Sequence, residues 1–145
     1  MTDRQYSAKE WLNEAYRIKT TELRIREEYA EKLNPSDGAV DYSKDSVQSD
    51  RQRSSYEERL ISYSLALEEV DKIKARIFRI QRTRQKAIAL LEDTDQRSLL
   101  IARYLNQLNW KTISKKMNYS VTQLKRIHLA ALEDIYDKIR EVDDE

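Results

Sequence analysis

Residues 104–135 read YLNQLNWKTISKKMNYSVTQLKRIHLAALEDI. Asn109 can cap a short helix, Trp110 to Met117, whose inward face is Trp110, Ile113 and Met117. Asn118 stands where a left-handed residue would end that helix, and Asn is the usual non-Gly occupant of such a position. Ser120 with Gln123 makes a capping box, in which each side chain satisfies an orphan amide at a helix start. The next helix is expected to run to about Ile139, with Leu124, Ile127, His128, Ala131, Leu132 and Ile135 turned inward. Two short helices joined by a tight turn, the second opening polar and basic, form the helix-turn-helix pattern. Just upstream, Asp93-Thr94-Asp95 reads as a helix start, and Leu99, Leu100, Ala102, Tyr104 and Leu105 supply an amphipathic helix to about Gln107. Residues 93–140 are therefore expected to form one helix-turn-helix domain, with an acidic tail at 141–145.

Two longer helices are expected before it. Ser7 with Glu10 fits a capping box, and Trp11, Ala15, Ile18, Ile25 and Tyr29 follow at spacings of three, four or seven, placing the first helix at about Ala8 to Leu33. Ser54 with Glu57 fits another box. Tyr56, Leu60, Tyr63, Leu67, Val70, Ile73, Ile77, Ile80, Ala87 and Leu91 then keep a coiled-coil seam to about Glu92, with Arg84 filling one apolar slot. Between them, residues 34–53 hold Pro35, Gly38, four Asp and four Ser, which reads as a flexible acidic loop. At 1.5 Å per residue the first helix would be about 39 Å long and the second about 58 Å. The uncovered apolar stripe calls for a partner, so a homo-oligomer is expected, with a dimer favoured. The expected fold is all-α: an elongated helical hairpin or coiled coil over residues 1–92, followed by the C-terminal helix-turn-helix.

The composition agrees with this and narrows the function. The 145 residues include one Gly, one Pro, one His and no Cys. Sandwiches, barrels and dinucleotide folds need far more turn-forming glycine. Thiolate metal sites and disulfides are excluded, and one histidine cannot form a zinc cluster. No Walker loop or nucleophile–base pair is present, so no catalytic residue, cofactor or metal is expected, and the protein is read as a non-enzyme. No apolar run of about 18 residues and no signal sequence is present, so a cytoplasmic protein without membrane contact is expected.

Net charge is +1, from 27 Lys and Arg against 26 Asp and Glu, but the charges are segregated. From Lys72 to Leu91 there are seven basic residues and no acid: Lys72, Lys74, Arg76, Arg79, Arg82, Arg84 and Lys86. From Gln96 to Leu132 there are seven more, again without an acid: Arg97, Arg103, Lys111, Lys115, Lys116, Lys125 and Arg126. An acid-free basic surface is an electrostatic footprint for nucleic acid, because Lys and Arg neutralise phosphates and release counterions. The role of the first run stays open between such a footprint and a solvated helix face.

In a helix-turn-helix, the first turn of the second helix enters the major groove. That makes Val121, Thr122, Gln123, Lys125 and Arg126 the base-reading candidates. Gln can pair bidentately with adenine, and Arg or Lys with guanine; for Gln123 the capping role is an equal alternative. Lys111, Thr112, Lys115, Lys116 and Ser120 are the phosphate candidates, although any one of them could be merely solvated. His128 reads as a satisfied, partly buried histidine, and Trp110 and Tyr119 as core residues. Glu68, Glu69 and Asp71 read as a solvated face.

The strip 104–135 resembles region 4 of bacterial sigma factors and, more closely, phage transcriptional regulators of the ArpU/RinA type. The matching residues are Arg103-Tyr104, Trp110, Ile113, Tyr119-Ser120, Gln123, Arg126-Ile127-His128 and Ala131-Leu132. The start, Tyr6-Ser7-Ala8-Lys9-Glu10-Trp11-Leu12, resembles that group's opening helix. Lys115 and Lys116 depart from the group's usual acids, Asn118 from its Gly, and Ala130 from a frequent Arg. The resemblance implies a phage or prophage-encoded activator of late genes; the leading expectation is a sequence-specific regulator that binds double-stranded DNA in a bacterial cytoplasm, its long helices serving assembly or contact with host RNA polymerase. Two other readings remain: a phage small terminase subunit, whose class usually places the DNA module first, and a coiled-coil interaction protein without a DNA role.

Overall fold

The structure, a computed structural model, describes residues 1–37 and 46–143. Gly38, the middle of the expected acidic loop, and Asp144 and Glu145 of the tail lie outside the described residues. All regular structure among the described residues is helical, without a strand. The helices are α1 (Asp3–Leu12), α2 (Glu14–Ile18), α3 (Arg24–Leu33), α4 (Ser46–Ala89), α5 (Thr94–Leu100), α6 (Trp110–Met117) and α7 (Val121–Asp143). π-helical turns at Lys19–Leu23 and Ile101–Leu105 join α2 to α3 and extend α5, and a 3-10 turn follows at Pro35–Asp37.

These helices form two compact units, one of Met1–Arg17 with Ile77–Glu145 and one of Ile18–Arg76. Residues 93–140, the expected helix-turn-helix domain, fall within the first unit. In the first unit, α1 packs on α7, and α5 and α6 also pack on α7. One core joins Ala8 and Leu12 of α1, Ala87 and Ile88 of α4 with Leu91, Leu100 and Tyr104, and Ala131, Leu132, Ile135 and Val142 of α7. At the surface, Arg4 bridges Glu133 and Asp137 at 2.8 Å each, and Gln5 Nε2 donates to the Leu129 carbonyl at 3.0 Å.

The second unit buries Ile18, Leu23, Ala30, Ala66, Val70 and Ile73. Arg59 donates to the carbonyls of Lys32 (2.9 Å) and Leu33 (3.2 Å), so a cation closes the C-terminus of α3, where the helix dipole favours one. Arg76 pairs with Glu22 at 3.3 Å.

Two expected boundaries and one expected face move. Helix α1 begins at Asp3: Thr2 and Gln5 form the capping box there, and Ser7–Glu10 lies inside the helix. The earlier box prevails because the added turn carries Arg4 and Gln5 onto α7. Helix α4 begins at Ser46 rather than Ser54, so much of the expected loop is helical and Ser54 cannot cap. With no Gly or Pro after Gly38, each added residue gains a hydrogen bond on a helix already nucleated downstream. The apolar face of the first helical stretch also rotates: Leu23 and Ala30 are buried, while Ile25 and Tyr29 are exposed. The π-helical turn at Lys19–Leu23 inserts an extra residue per turn and shifts the phase of everything after it.

The seam on α4 holds from Val70 onward. Val70, Ile73, Ile77, Arg84 and Ala87 are buried, whereas Leu60 and Leu67 are exposed.

Candidate nucleic-acid interface

Helices α6 and α7 are joined by Asn118, Tyr119 and Ser120. Asn109 Oδ1 accepts the Thr112 amide at 2.8 Å and starts α6. Asn118 ends it with φ 59° and ψ 35°, a left-handed conformation that Asn tolerates better than most residues with a Cβ. Both halves of the next capping box are present. The Gln123 amide donates to Ser120 Oγ at 3.1 Å, and the Ser120 amide donates to Gln123 Oε1 at 3.0 Å.

The turn is bolted down from below. Ser114 Oγ donates to the Tyr119 carbonyl, and Tyr119 Oη donates to Asp95 Oδ2, both at 2.5 Å. The bond to Asp95 and its negative charge hold the Tyr119 hydroxyl above its usual titration range. Under the turn, Leu99, Ile113 and Leu124 are wholly buried, flanked by Trp110, Met117, Tyr119 and Ile127.

The predicted site residues lie on the outside of this frame. Val121, Thr122, Gln123, Lys125 and Arg126 are all exposed, as are Lys111, Lys115, Lys116 and Ser120, while Thr112 is half-buried. No carboxylate pairs with Lys111, Lys115, Lys116, Lys125 or Arg126 among the described residues. Such a face can neutralise a polyanion at the cost of no internal ion pair. Gln123 is in a different position. Its Oε1 accepts from both the amide and the hydroxyl of Ser120 (3.0 and 3.1 Å), so a bidentate contact with adenine would require that cap to open.

Other basic residues are structural. Arg97 donates to the carbonyls of Leu91 and Glu92, and Arg103 donates to the Leu108 carbonyl (3.0 Å) with its guanidinium 4.9 Å from the Trp110 ring centre. In the upstream run, Arg84 is buried, donates to the Trp11 carbonyl (2.9 Å) and to Glu14 (2.5 Å), and lies 3.9 Å over the Trp11 ring. Burial lowers its pKa and Glu14 partly offsets this. Arg76 pairs with Glu22 and Lys72 with Glu69. That run is thus in part internal glue rather than a uniform charged face.

His128 is buried, and its Nε2 lies 2.6 Å from Tyr104 Oη in a hydrogen bond. Its ring stacks on Tyr104 and meets the edge of Trp110. Burial, followed by repulsion from Lys9 and Arg103, pushes it down to about 4, while burial pushes Tyr104 up to about 12.

Two features escaped the sequence. Gln107 has φ 57°, held by its side-chain amide on the Tyr104 carbonyl and by the Leu108 amide on the Ala102 carbonyl. A glutamine gives no signal for this conformation. The second is a pocket of about 420 Å³ beside α1, reached by Lys9, Arg103 and Lys125. Its residues come from separated segments, so no local pattern marks it. No group of acids and histidine able to hold a metal occurs among the described residues, and no described helix is long and apolar enough to cross a membrane.

The arrangement defines an all-helical protein with a cation-rich face built around a left-handed turn. The chain belongs to the family described as a protein of unknown function (DUF1492), which matches residues 39–136. No curated protein and no solved structure matches the chain.

Proposed function

We propose that the protein is a sequence-specific, double-stranded-DNA-binding transcriptional regulator in which α6 and α7 act as a helix-turn-helix. The carrying observation is the acid-free face of Lys111, Lys115, Lys116, Lys125 and Arg126, exposed around the left-handed Asn118. Val121, Thr122, Lys125 and Arg126 read bases, with Gln123 chiefly a cap. Lys111, Thr112, Lys115, Lys116 and Ser120 position phosphates. The resemblance to ArpU/RinA-type regulators favours phage or prophage late-gene activation with contact to host RNA polymerase, in a bacterial cytoplasm. The long helices serve as a hairpin or coiled coil for self-association, most simply as a dimer, and the exposed Ile25, Tyr29 and Leu65 supply apolar surface for it.

Selection from a random duplex library at about 150 mM salt tests this, because non-specific binding is weak under such conditions. Wild type is expected to enrich a consensus. The double substitution Lys125→Ala, Arg126→Ala should lose that enrichment while keeping its helical circular dichroism. Failure of the wild type to enrich any sequence overturns the reading. Lys115→Ala should weaken binding uniformly across sequences and lower the salt slope by about 1.

A further inference from the structure

We propose that the pocket beside α1 and α7 binds a small aromatic anion: a carboxylate or phosphate monoester carried on a flat ring. Its volume, about 420 Å³, lies in the range of small-molecule sites and exceeds what a bare phosphate needs. Three cations line it, Lys9 from α1, Arg103 from the π-helical turn and Lys125 from α7, and no Asp or Glu does among the described residues. Neither Lys9 nor Lys125 has a carboxylate partner among those residues. Arg103 is held in place through the Leu108 carbonyl and the Trp110 ring, with guanidinium donors left over. Lys9 and Arg103 both lie near enough to His128 at the pocket wall to add, after burial, to the lowering of its pKa. Trp110 adds aromatic surface, with the buried ring of His128 behind it, 80° between their planes. Cations without counter-ions select an anion, and the ring surfaces select a flat apolar body.

The proposal stands independently of DNA binding. Its regulatory consequence does rest on the DNA reading: a ligand that engages Lys125 would compete with DNA for that side chain. The test is therefore made without DNA.

The full chain, labelled with nitrogen-15, offers two indole N–H resonances, from Trp110 at the pocket and Trp11 outside its lining. Titration with benzoate is expected to move the Trp110 signal saturably, with at least tenfold weaker effects from inorganic phosphate and from neutral benzyl alcohol. Lys9→Glu should weaken benzoate at least tenfold, and Lys9→Gln by a smaller step, with both variants keeping the wild-type melting curve. Lys116→Glu, outside the lining, should bind benzoate as wild type does. Equal response to benzyl alcohol overturns the anion site, equal response to phosphate overturns the aromatic preference, and wild-type affinity in Lys9→Gln overturns the role of the cations.

Discussion

Arg84 occupies a position that the 3–4 spacing of α4 reserves for an apolar side chain, and it can do so because α1 and α2 bring acceptors to it. The Trp11 carbonyl and Glu14 accept its hydrogen bonds, and the indole covers its face. Removing it leaves that carbonyl short of a donor, but Glu14 retains 37% side-chain exposure and can hydrate. Arg84→Met is therefore expected to lower stability by about 1–3 kcal/mol, below the loss for a fully buried pair, as read by urea denaturation. His128 makes a pH prediction. Its folded value of about 4 lies below the ordinary 6.5, so between those values the unfolded chain binds more protons. Its contribution to stability is complete above pH 6.5 and is lost as pH falls toward 4, up to about 3 kcal/mol at 1.36 kcal/mol per unit. His128→Gln, which keeps a hydrogen-bonding partner for Tyr104 without the titration, should show a smaller drop in urea midpoint between pH 7 and pH 4.5 than wild type.

At the scale of elements, the segment from Asn109 to Gln123 was legible because each of its signals is local. A cap, a left-handed Asn and a capping box are decided by atoms within three residues of one another. Asn118→Val should cost about 1–3 kcal/mol, since a β-branched side chain resists positive φ, while Asn118→Gly should be neutral or mildly stabilising. Thermal melting of the two variants checks this, and a tolerated valine would mean the turn has another conformation. What the sequence did not reveal depends on distant atoms. Ile25 and Tyr29 look inward on an ideal helix, and only the extra residue at Lys19–Leu23 turns them out. Thr2–Gln5 and Ser7–Glu10 are equivalent as capping patterns; the choice lies with Glu133, Asp137 and Leu129, more than 120 residues away in sequence. Among the site residues, exposure of the cations followed from their helical phase. The commitment of Arg97 and Arg103 to carbonyls did not.

At the scale of the whole molecule, the compact unit that holds α6 and α7 also needs Ala8 and Leu12 from α1 and Ala87 and Ile88 from α4. Residues 93–140 look self-sufficient in sequence because their own hydrophobic spacing is regular. Without those four side chains, however, Leu100, Ala131, Leu132 and Ile135 would face water. A fragment of residues 93–140 is thus expected to unfold without cooperativity in circular dichroism, whereas the full chain melts in a sharp transition. In the full chain, Leu12→Ala should cost about 2–5 kcal/mol, the usual range for emptying a wholly buried leucine site, which tests whether α1 completes this core. The family match, which begins at residue 39, does not include α1 even though that helix completes the core.

The pairing of Met1–Arg17 with Ile77–Glu145 has a temporal side. During synthesis α1 leaves the ribosome before α7, and the core around Leu12 stays incomplete until Ala131, Leu132 and Ile135 have been made. At about 5–20 residues per second, that interval lasts several seconds to half a minute. The unit that carries the cationic face can close only after α7 has emerged. A translation product that stops short of α7 would leave that core open and would lack Lys125 and Arg126.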